Sequence, residues 1–168
     1  NKQKGTDLVV AANAVVQPMG LYSNKIHSLD DIKADTKIAI PNDPSNGGRA
    51  LVLLEKAGII KLKPDYKGEA SIHDVAENPR GVKLVELEAA QLPISLQDLD
   101  VACVPMNYAV SGGLDVNKQG FYFESRDAKY ALIIIAARPD NVQSPEVQTF
   151  VKCYQSPEVA AFIKEKFK

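Results

Sequence analysis

The segment Ile40-Pro41-Asn42-Asp43-Pro44-Ser45-Asn46-Gly47-Gly48-Arg49-Ala50-Leu51 constrains the fold more than any other part of the chain. A β-rich stretch, residues 36–40, stops at Pro41, which has no N–H to donate to a sheet. Residues 41–48 form a stretch rich in Pro, Asn, Ser and Gly, the composition of a loop. A helix is expected over 49–56, with Leu51, Leu54 and Leu53 as its apolar stripe and Gly58 where a C′ glycine belongs. Strand, glycine loop and helix in immediate succession belong to α/β folds.

The rest of the chain repeats that alternation. Residues 8–12 and 15–22 read as strands around a small turn at Asn13. Ser28-Leu29-Asp30-Asp31 sets an acid three residues after a hydroxyl, which opens a short helix. A helix is expected at 73–77, stopped by Pro79, a strand at 82–87, and a capped helical turn from Ser95. Residues 99–104 read as a strand, and Asn107 as the cap of a helix that ends at Gly112-Gly113. The apolar run 130–136 is expected to be a strand buried on both faces. Ser144-Pro145-Glu146 and Ser156-Pro157-Glu158 each supply a cap, a first-turn proline and an acid. Val147, Phe150, Val151 and Tyr154, then Val159, Phe162, Ile163 and Phe167, recur at helical spacing behind them.

Composition removes several functional classes. The 168 residues carry 20 basic and 21 acidic side chains, a net charge of −1, and no clustered basic face, so no nucleic-acid partner is expected. No apolar run approaches the roughly 18 residues of a membrane span. Cys103 and Cys153 both lie in apolar stretches and read as core thiols. His27 and His73 read as surface residues. Without an HExxH pattern, a Cys-x-x-Cys pair or a nucleophile elbow, no catalytic residue, metal site or cofactor is expected. Glu86 and Glu88 share one strand face and read as a solvated pair.

The segment that opens the fold also carries the chemistry. A helix starting at Arg49 would present free N–H groups at the positive end of its dipole, and Arg49 would add a guanidinium fork. Together these form a seat for a carboxylate. Asn42, Asp43 and Asn46 offer acceptors for an ammonium group, so a free amino acid suits the seat better than a phosphate. The competing reading is a plain strand-to-helix turn with a surface arginine. The loop is neither a Walker loop nor a three-glycine dinucleotide loop. Asn107, after the strand that ends near Val104, stands where open α/β sheets bind ligands, and could contact a ligand or cap its helix.

Residues 40–51 closely resemble the signature loop of the NlpA/MetQ family of methionine-binding lipoproteins. Further segments resemble that family in the same order: residues 17–25 with 28–32, Glu77-Asn78-Pro79, residues 85–96 around Glu86-Leu87-Glu88-Ala89 and Gln91-Leu92-Pro93, and Tyr154-Gln155-Ser156 with Glu158-Val159. The resemblance implies a periplasmic-binding-protein fold of type II, with two lobes and a ligand cleft between them. Residues 1–22 and 136–168 would belong to the first lobe and 23–135 to the second. It implies a non-enzymatic receptor that delivers L-methionine or a related amino acid to an ABC permease, lipid-anchored outside the cytoplasm by a cysteine preceding this chain. Arg49 matches the carboxylate-holding arginine and Asn46 an asparagine at the amino-acid backbone, with Asn107, Asn42 and Tyr22 as further ligand-binding residues. Two positions depart from the family: Pro105 stands where an asparagine is common, and Ile94 where an arginine is common. Relatives begin with about half a lobe more, and that part holds the ligand's side chain. Binding of another amino acid or a short peptide, a small α/β enzyme using Arg49 as an anion clamp, and a surface protein acting by adhesion are the alternatives.

Overall fold

The computed structural model describes residues 5–125, 128 and 131–166. The chain divides into two compact units, one formed by Asn1–Gln17 with Arg126–Lys168 and the other by Pro18–Ser125.

In the smaller unit, β1 (Val9–Val16) pairs antiparallel with β9 (Leu132–Ala137), and α5 (Pro145–Tyr154) and α6 (Pro157–Lys166) follow. Asn13 does not form the expected turn. It lies within β1, between two irregularities of the β1–β9 register, and its carbonyl accepts from Gln155 Nε2 at 2.9 Å. Pairing with a distant strand overrides a local turn preference here. The expected burial of β9 on both faces is also corrected: Leu132, Ile133 and Ile134 are 38%, 40% and 42% exposed. A β-branched run needs a strand on each side and a layer on each face to be buried. Among the described residues β9 has β1 as its single strand partner. Tyr130, at the start of the expected strand, and Phe167, at the end of the last helical face, lie outside the described residues. Both helices start where their caps predict: the Ser144 and Ser156 hydroxyls accept from Val147 N–H and Val159 N–H.

The larger unit contains β2 (Met19–Tyr22), β3 (Lys37–Pro41), α1 (Pro44–Lys56), β4 (Lys61–Leu62), β5 (Val75–Glu77), β6 (Lys83–Leu87), α2 (Leu92–Ser95), β7 (Val101–Pro105), α3 (Met106–Ser111), α4 (Val116–Gln119) and β8 (Gly120–Phe123). Its five-stranded sheet has the order β6-β3-β7-β2-β8, while β4 and β5 pair separately. β6 and β7 run parallel to β3, and β2 runs antiparallel to β7 and β8. The chain leaves β3 for β6 on one side and returns to β7 on the other, so the β3–β7 boundary is a topological switch point. One core cluster joins Ile38 and Ile40 of β3 to Leu51, Leu53 and Leu54 of α1. Each of those leucines is essentially fully buried, a contribution of about 2 kcal/mol apiece. A second cluster sets Ala39, Ala102 and Val104 against Leu92 and Leu96.

Several local expectations shift. The Ser28 pattern gives a 3₁₀ turn, Leu29–Asp31, in which the Ser28 hydroxyl donates to Asp31 and caps no backbone group. Residues 73–77 are not a helix: a 3₁₀ turn, Ile72–Asp74, closed by a Ser71–Asp74 capping box, leads into β5. Ser95 ends α2 and opens the expected turn, its carbonyl accepting from Asp98 N–H and Leu99 N–H, but its hydroxyl donates back to Leu92 O at 2.7 Å instead of capping that turn. Cys103 is buried, as expected, but Cys153 is exposed, and both are free thiols.

Candidate functional site

The helix at the ligand-seat segment begins five residues earlier than its composition suggests. α1 starts at Pro44, with Asp43 as N-cap. Gly47 and Gly48 are buried inside the helix, because packing demands them. A Cβ on Gly47 would lie 2.7 Å from Pro41 O, and one on Gly48 would lie 2.9 Å from Ala70 O. Gly47 lets α1 sit closely over the end of β3, and Gly48 lets residues 69–70 approach the same helix. Arg49 is therefore in the second turn of the helix, not at its amide-lined start.

Those first amides already face an acid. The Asp43 carboxylate accepts from Asn46 N–H at 2.9 Å and from the Asn46 side-chain amide at 3.2 and 3.1 Å. An acid at this end of a helix also suits the dipole.

The Arg49 guanidinium reaches the far edge of the sheet. Its Nε lies 2.8 Å from Glu124 Oε1 and 2.9 Å from Oε2, and Nη2 also donates to Oε2. The side chains are 8% and 7% exposed, so the pair is nearly desolvated with a narrow rim at the surface. Glu124 is held in turn by β2: Met19 N–H donates to Oε2 at 2.8 Å, and Glu124 N–H donates to Met19 O at 2.9 Å. Met19 and Glu124 are the second and next-to-last residues of the larger unit. The described buried side-chain nitrogen and oxygen atoms all have hydrogen-bond partners. Sequence reasoning did not single out Glu124. Its one signal is an acid directly after the aromatic strand Phe121-Tyr122-Phe123.

Four expected site residues gather at the carboxyl ends of β3 and β7. Asn42 follows β3, is exposed, and donates its N–H to Leu87 O at 2.8 Å. Asn46 is half-buried in the first turn of α1. Arg49 lies one turn on. Asn107 is exposed in the first turn of α3, whose N-cap is Pro105, so its expected capping role is corrected. Tyr22 differs from these: with no exposed surface it is a core residue, not a contact open to a ligand. Its ring meets Phe123 edge-on at 5.8 Å, and its hydroxyl reaches Met106 Sδ at 3.9 Å, beneath the start of α3. Burial pushes its pKa up to about 12. A cavity of about 170 Å³ opens beside the start of α1, lined by residues that include Asn42, Asp43, Gly48, Glu69, Ser71 and Glu86. Neither Arg49 nor Glu124 lines it. No group of three or more His, Cys, Asp or Glu among the described residues could hold a metal ion. No described helix is long and apolar enough to cross a membrane.

The site can thus offer an arginine and a carboxylate at nearly buried positions, with amide side chains nearby, at the end of the sheet where open α/β folds place their ligands. The NlpA lipoprotein family profile matches residues 1–168. A D-methionine-binding lipoprotein MetQ of Escherichia coli O157:H7 is 44% identical over 160 residues, which cover 94% of this chain and 59% of that protein. The chain therefore spans about three-fifths of the length of such relatives. A nutrient binding protein from Burkholderia cenocepacia, solved bound to methionine, is 45% identical with a TM-score of 0.90, over 99% of this chain and 70% of that one. An ABC transporter periplasmic substrate-binding protein from Coxiella burnetii is 41% identical with a TM-score of 0.88, over 99% of this chain and 69% of that one.

Proposed function

Because the chain belongs to the NlpA lipoprotein family, we propose that it is the larger part of a substrate-binding component of an ABC importer, a receptor for a free amino acid and first of all for L-methionine. The observation that carries this reading is the match along the whole chain to a relative solved with methionine bound, combined with a nearly buried arginine at the carboxyl end of the sheet. In this reading the units Asn1–Gln17 with Arg126–Lys168 and Pro18–Ser125 belong to the first and second lobes. Arg49 holds the ligand carboxylate, Asn46, Asn42 and Asn107 line the seat, and Tyr22 supports α3 from below. The receptor works on the outer side of the cytoplasmic membrane, anchored by a lipid on a preceding segment, and hands its ligand to a membrane permease. It performs no catalysis.

Pro105 favours one second reading within the same class. At the end of β7 it N-caps α3 without a side-chain hydrogen bond, where the resemblance to the family implies an asparagine. A seat lacking that amide suits another amino acid or a short peptide. Calorimetry on the mature protein with the proteinogenic amino acids and methionine-containing dipeptides tests both. Submicromolar binding of L-methionine is expected. Tighter binding of a different member of the panel would select the second reading, and no binding to any member would overturn the receptor assignment.

A further inference from the structure

We propose that Glu124 is a specificity-determining residue of this seat: it receives the ligand's ammonium group when the ligand's carboxylate takes Arg49. The inference rests on the receptor reading above.

The Arg49–Glu124 pair uses the Nε and Nη2 edge of the guanidinium, one of the two edges that can grip a carboxylate through two bonds. A ligand carboxylate arriving there displaces an equivalent group already present. The exchange strands Glu124, whose side chain is only 7% exposed. A buried charge that loses its partner is strongly unfavourable. Glu124 cannot swing away freely, because Met19 N–H holds Oε2 at 2.8 Å and the Glu124 backbone is bonded to Met19. Neutral amides do not replace the lost charge, and the Asn46 amide is engaged by Asp43. A zwitterion resolves the problem by itself. Its carboxylate neutralises Arg49 and its ammonium neutralises Glu124, giving an alternating row of four charges. The 8% and 7% exposure of the two side chains gives the ligand an edge from which to enter. A ligand with a carboxylate but no ammonium group leaves the Glu124 carboxylate unmatched, so the pair selects α-zwitterions by charge balance.

The test is calorimetry on the mature protein with L-methionine and with its des-amino analogue. The wild type should bind the des-amino acid at least about 100-fold more weakly. In Glu124→Gln that ratio should fall to about tenfold or less, because no carboxylate is left to strand. A loss of folded protein lowers both apparent affinities by the same factor, so the ratio reads specificity and not stability. An unchanged ratio in Glu124→Gln overturns the inference. Should that variant fail to fold, the wild-type structure with L-methionine decides. An ammonium within hydrogen-bond distance of Glu124 is expected, and one held only by other groups overturns it. If the wild type binds no amino acid at all, the receptor reading falls and this inference with it. Binding with an unchanged ratio removes this inference alone.

Discussion

Arg49 and Glu124 stand 75 positions apart in the chain and meet nearly out of water, Nε lying 2.8 Å from Oε1 and 2.9 Å from Oε2. Arg49 rides on α1, while Glu124 follows β8 at the opposite edge of the sheet, bonded to the first residue of β2. One ion pair therefore ties three elements together. Removing one partner leaves the other charged and buried. Glu124→Ala should lower unfolding stability by about 3–5 kcal/mol, while replacing both residues by leucine should cost far less. Urea denaturation of the single and double variants measures the difference.

Gly47→Ala and Gly48→Ala should destabilise, by about 1–3 kcal/mol each. Helix propensity alone predicts the opposite sign, a gain of about 1 kcal/mol. The added methyl would meet Pro41 O at 2.7 Å or Ala70 O at 2.9 Å, and both are backbone atoms that cannot rotate aside. A rise in the urea midpoint would show that α1 has room above β3, for Gly47→Ala, or beside Ala70, for Gly48→Ala.

These glycines also mark where sequence reading stops. Pro, Asn, Ser and Gly in succession have the composition of a loop, and nothing local reveals that two glycines are there for a close approach across the fold. The apolar stripe of α1 was legible because Leu51 and Leu54, at helical spacing, need only one neighbouring sheet. The tail helices were legible because their caps are local. Glu124 was not legible, because its partner lies on another element and an acid after a strand is ordinarily solvated. β9 misled for a related reason: its β-branched run records a preference for burial, while the covering layer is a matter of tertiary structure.

The buried Tyr22 hydroxyl should titrate late. Its pKa is raised from 10.0 to about 12 by burial. The folded state therefore holds this proton more tightly than the unfolded state. The resulting stability is fully present below pH 10 and is lost as pH rises toward 12. Tyr22→Phe should flatten the fall in stability between those limits, read by denaturant midpoints at successive alkaline pH values.

The two thiols should behave oppositely toward a maleimide. Cys153 is exposed and Cys103 is buried, and burial raises the Cys103 thiol pKa, with the nearby Glu124 charge acting in the same sense. One label per native chain, at Cys153, is expected by mass spectrometry of peptides, with Cys103 reacting only in denaturant. Labelling of Cys103 in the native protein would contradict its place in the β2–β7 core.

The affinity of the mature protein for L-methionine before and after Arg49→Lys tests most directly whether this guanidinium holds the ligand's carboxylate. The substitution keeps a positive charge and removes the planar fork. Submicromolar binding by the wild type and a loss of about 100-fold or more in the variant are predicted. Equal affinity in the two proteins would mean that the ligand's carboxylate is held elsewhere.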